Sequence, residues 1–161
     1  MKWIALAVIL SVIAFLAVRA MRSRSAPTFA SLDEKMVWLA GEAVDMARNE
    51  NVDLDFSTNS IEKVEELLAK LHDEYQARGD QDGMNGLALA YGAYVGEAIR
   101  RSEAGAYWAD DSDIAGPGSY PIYWRDGASF PVAWCYKRMS DGPEENVWHK
   151  YQILKQGSDL R

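Results

Sequence analysis

"ALAYGAYVGEAIRR", residues 88–101, has the spacing of a helix and yet carries Gly92 and Gly96 in its interior. Each glycine costs a helix interior roughly 1 kcal/mol relative to alanine, so two in one short segment require a reason. On a helical wheel running from about Met84 to Glu103, Ala88, Gly92 and Gly96 form a row of small residues at four-residue spacing. Leu87, Leu89, Tyr91, Val95 and Ile99 widen that row into a broad apolar face. Such a row lets another backbone or an aromatic ring come close. In lipid the same spacing favours helix dimerisation, but Glu97 and Arg100 interrupt it here, so the spacing predicts a tightly packed central helix of a soluble domain.

Helices flank this segment on its N-terminal side. "SLDE" at 31–34 offers Ser31 as a cap and Glu34 to bond back to the cap's amide. An apolar stripe from Leu32 to Ala47 carries that helix to about Asn49. Val52, Leu54 and Phe56 alternate, which predicts extended chain, and Ser57 is a second cap. Ile61, Val64, Leu68, Leu71 and Tyr75 then recur at three and four until Gly79, a residue suited to a helix end.

After Gly105 the chain breaks into short aromatic pieces separated by turn residues, which predicts strands near 106–110 and 120–124 paired antiparallel. Pro131 and the spacing of Val132, Cys135, Tyr136 and Met139 predict a further helix. Pro143 and its two following glutamates open a closing helix ending at Gly157. The body is therefore expected to be a small, mostly helical α+β domain over 31–157 with a short antiparallel β-hairpin or small sheet.

The N-terminal residues point elsewhere. Residues 3–18 carry no charge, and as a helix they would measure about 24 Å, which Lys2 and Arg19 can extend by snorkelling. The expectation is a single transmembrane helix over 1–21, a polar linker over 22–30, and an inner-membrane protein. Arg19, Arg22 and Arg24 outweigh Lys2, which places the soluble domain in the cytoplasm. The alternative is an exported or periplasmic protein after signal cleavage, with Val18 and Ala20 before the cut. The lone Cys135 cannot form an internal disulfide.

Of 17 basic residues, four precede position 25 and all 24 acidic residues follow it, so the body has 13 basic against 24 acidic residues and a net charge of −11. A body of that charge repels phosphate backbones, which argues against nucleic acid as a partner.

The stretches "LDFSTNSIEKVEELL", "ALAYGAYVGEAIRR", "AYW", "FPVAWCYKRMSDG" and "KYQIL" together resemble a bacterial domain family of unknown function, characterised by a Gly-x-Tyr-x-Gly-Glu helix followed by an aromatic strand. The resemblance spans roughly residues 53–155 and implies a small α+β fold. It brings no activity and no catalytic residues. "EAGAYW" stands where such sequences often have a paired glycine before the tryptophan.

Candidate chemistry is sparse. Glu97 with Arg100 and Arg101 reads as an ordinary helix ion pair or, more sharply, as a site carboxylate with a pKa altered by burial. His72 in "LHDEYQ" lacks a second histidine at ligand spacing, and His149 is remote in sequence. Asp111, Asp113 and Gly116 match three positions of a calcium loop, but Ala115 and Ile122 fall where oxygen ligands are needed. Neither metal nor cofactor is expected. "RGD" at 78–80 reads as a helix-end turn. Ten large rings fall between Tyr107 and Tyr151, more than a thin strand layer needs, and Tyr123 and Trp124, adjacent on a strand, cannot both face inward. An exposed member would suit a protein partner. The leading expectation is a membrane-anchored, acidic protein-interaction module using Tyr123 and Trp124. The alternatives are a small hydrolase-like enzyme using Glu97 with Arg100 or Arg101, and an immunity-type protective protein.

Overall fold

The computed structural model describes residues 27–159, which form five α-helices and a three-stranded sheet. In chain order these are α1 (Leu32–Asn49), α2 (Ser60–Arg78), α3 (Met84–Ser102), β1 (Tyr107–Trp108), β2 (Ile122–Trp124), β3 (Gly127–Ser129), α4 (Pro131–Ser140) and α5 (Val147–Asp159). A single 3-10 turn, Pro143–Glu145, separates the last two helices.

The class is α+β, but the expected transmembrane helix is a correction. Among the described residues no helix is long and apolar enough to cross a membrane, and the apolar stretch at 3–18 lies outside them. Over the described residues the fold is thus five helices and three strands.

α3 is the axis of the molecule. Every residue from Ala90 to Ile99 is buried, so the helix is enclosed on all sides instead of presenting a single apolar face. α1 and α4 pack directly against it. α2 lies mainly against α4 and α5.

The caps follow the sequence with shifts of a residue or two. Ser31 Oγ accepts the Glu34 amide at 3.1 Å, and the Glu34 carboxylate reaches back to the Ala30 amide at 2.7 Å, one residue before the cap. Gly79 closes α2 in the left-handed region, its amide bonded to the Tyr75 carbonyl. α5 starts later than its proline suggests. Asn146 Oδ1 accepts the His149 amide, and the buried Glu65 of α2 accepts the Val147 amide at 2.8 Å. The other oxygen of Glu65 takes the guanidinium of buried Arg138 in α4 at 2.5 Å, so one carboxylate joins three helices.

The sheet is antiparallel in the order β1-β2-β3. Trp108 pairs with Ile122, which pairs with Ser129, and this row faces the helices; Tyr107, Tyr123 and Ala128 form the alternate row and face outward. β3 was not foreseen. Its residues have little strand preference of their own and are held by the tight turn at Arg125 and Asp126.

Candidate functional site

The Gly-x-Tyr-x-Gly-Glu run of α3 is where four parts of the molecule meet. A methyl placed on Gly92 would collide with the backbone of Val132 in α4, lying 2.7 Å from its nitrogen. At Gly96 the same methyl would collide with the indole of Trp108. The two glycines thus admit a backbone and an aromatic ring respectively.

Between them, Tyr94 fixes the connection before α2. Its hydroxyl accepts the Phe56 amide at 2.8 Å and lies 2.5 Å from Ser60 Oγ. Ser60 spends its own proton on the Ser57 carbonyl, so Tyr94 is the donor to Ser60. The bonds hold Phe56 at φ +62°, a left-handed conformation rarely adopted by a bulky residue.

Glu97 is fully buried, with 0% of its surface exposed. Arg100 grips the carboxylate with two bonds of 2.7 and 2.9 Å, Arg101 approaches to 3.5 Å, and Trp108 Nε1 donates to Oε1 at 3.0 Å. Burial alone would raise the Glu97 pKa, but the hydrogen bonds from Arg100 and Trp108 and the two guanidinium charges outweigh it and hold the carboxyl below its ordinary range. Arg101 also lies over the Phe56 ring at 3.6 Å. Both oxygens of Glu97 are therefore engaged, and Oε1 holds the Trp108 indole over Gly96.

The sequence-selected aromatics divide by face. Trp124 is buried at 6% exposure, with Nε1 bonded to Ser129 Oγ at 2.8 Å and its ring stacked on Tyr151. Tyr123 is half-buried on the outer face. Its companion there is Tyr107, 57% exposed, which stacks on it with ring centroids 5.3 Å apart and planes 16° from parallel. Tyr107 was missed because its pairing with Tyr123 depends on strand register, which no local pattern states.

These two rings border a groove of about 600 Å³ between the outer face of the sheet, the turn at Ala104 and Gly105, the loop at Ser112–Ile114 and the β2–β3 turn. Ile114 stands at its edge with 88% exposure. No family model, curated protein or solved structure matches the chain.

The remaining candidates have local roles. His72 Nδ1 donates to the Met139 carbonyl at 2.8 Å. His149 is exposed on α5. Asp111 accepts the Gly118 amide, and Ser112 bridges to Gly116, closing the 110–118 loop upon itself. Arg78 and Asp80 of the RGD pair at 2.6 Å. Burial pushes the Cys135 thiol far up, away from the reactive thiolate. Among the described residues no three His, Cys, Asp or Glu side chains converge as a metal site.

Proposed function

We propose that this protein is an interaction module that captures a partner protein on the outer face of its small sheet. The observation that carries this reading is the stacked Tyr107–Tyr123 pair, held outward beside an open groove with Ile114 at its rim. Large rings of low side-chain entropy are the usual energetic centres of protein interfaces. The rings are also well supported from behind. Trp108 and Trp124, their neighbours in sequence, anchor the inward side of the same strands to Glu97 and Ser129.

The enzyme reading finds less support. Glu97 has no exposed surface and both its oxygens are occupied, so it lacks the open approach a reacting group needs.

The test compares the full chain with a Tyr107→Ser/Tyr123→Ser variant by affinity capture and thermal unfolding. The variant is expected to lose the captured partner while its melting temperature changes little. Trp38→Ala, which removes a partly exposed ring of α1 remote in sequence from the sheet, should leave capture intact. Undiminished capture by the double-serine variant would refute the reading.

A further inference from the structure

We infer that the segment received by the Tyr107–Tyr123 groove is basic, a stretch of the partner protein presenting lysine or arginine. This rests on the proposed docking face and adds the chemistry of its occupant.

The groove is edged by charged side chains. Asp113 and Asp126 are exposed and line it on two sides, and neither makes an ion pair among the described residues. The one cation in the lining is Arg125, and its guanidinium is committed to both oxygens of Glu103 at 3.0 and 3.1 Å and to the Lys155 carbonyl at 2.9 Å. Arg125 is further fixed by a backbone φ of +53° in the tight turn. The groove therefore offers an incoming chain two carboxylates and no uncommitted positive charge.

The apolar lining fits the same occupant. A long cationic side chain combines an aliphatic stem with a charged head. Ile114 and Ala128 offer apolar surface to the stem, and the tyrosine faces attract the head through their quadrupoles. An acidic segment would meet like charge at the rim and gain nothing from the rings. The body's net charge of −11 draws basic partners in from a distance, and the groove selects where they settle.

The test uses labelled nine-residue peptides in fluorescence anisotropy with the full chain: alternating lysine and alanine, the glutamate counterpart, and a norleucine counterpart that keeps the stem without the charge. The lysine peptide is expected to bind saturably, and the other two roughly tenfold or more weakly. Asp113→Asn/Asp126→Asn should weaken it about fivefold, and Tyr107→Ser/Tyr123→Ser by at least as much. Glu62→Gln/Glu66→Gln, the same loss of charge on the exposed face of α2, should leave it unchanged.

An equal loss in the α2 variant would show diffuse attraction and overturn the inference, as would indifference to the groove aspartates or absence of saturable binding by the lysine peptide. If the norleucine or glutamate peptide binds best and loses binding in the tyrosine variant, the docking face stands and its basic preference falls. If no peptide responds to the tyrosine substitutions and partner capture also survives them, both fall.

Discussion

One methyl group distinguishes the four glycines of α1 and α3. Gly41 in α1 and Gly86 in the first turn of α3 have open space where a Cβ would go, whereas Gly92 meets Val132 and Gly96 meets Trp108. Alanine raises helix propensity at all four positions by about 1 kcal/mol, so packing decides the sign. Gly41→Ala and Gly86→Ala should stabilise by up to about 1 kcal/mol. Gly92→Ala and Gly96→Ala should destabilise by about 1–3 kcal/mol, because a helix backbone and a tethered indole have to move. Urea denaturation of the four variants checks this, and uniform stabilisation would refute the packing account. The row at 88, 92 and 96 was legible in the sequence; which glycine receives which neighbour was not, since both neighbours arrive from residues after position 105. Burial of Glu97 was equally hidden, because the indole that covers it comes from the strand that follows the helix.

At the scale of elements, legibility followed locality. α1, α2 and α3 carry their periodicity and ends within their own residues, and the structure keeps them close to the expected bounds. The start of α5 does not, because the carboxylate that receives the Val147 amide belongs to α2, 82 positions away. That carboxylate yields a prediction. Glu65→Ala should cost about 3–5 kcal/mol, since it leaves the Arg138 charge buried without its partner as well as removing the bond to the start of α5. Glu65→Ala with Arg138→Met should recover a large part of that loss, because the uncompensated charge is then gone. Thermal and urea unfolding decide the matter: a double variant no more stable than the single one would show that the bond to α5, and not the buried charge, dominates. Ser31→Ala at the start of α1 is the local counterpart, expected to cost about 1 kcal/mol, and it serves as the scale against which the long-range effect is read.

For the whole molecule, Glu97 couples the three-stranded sheet to the helical body, and that coupling depends on pH. Its carboxyl titrates below the ordinary value of 4.5 in the folded protein, because the bonds from Arg100 and Trp108 and the charges of Arg100 and Arg101 outweigh the effect of burial. A depressed folded pKa contributes stability that is fully present above the unfolded value and is lost as pH falls through the folded one. Above about pH 5 the wild-type protein should therefore exceed Glu97→Gln in stability, by about 1–3 kcal/mol for a buried, charge-assisted network. As pH falls from the ordinary value of 4.5 through the lower folded one the gap should close, since the wild-type side chain then also becomes neutral. The excess of acidic residues acts in the opposite direction, since protonating them relieves self-repulsion, but it does so equally in both proteins and drops out of their difference. Unfolding midpoints of the two proteins across this range measure the gap, and near-UV circular dichroism reports whether the tryptophan environment of the sheet loosens with it. A gap that stays constant through acidification would mean that Glu97 holds Trp108 by shape alone, and the electrostatic account of how the sheet is fixed to α3 would fail.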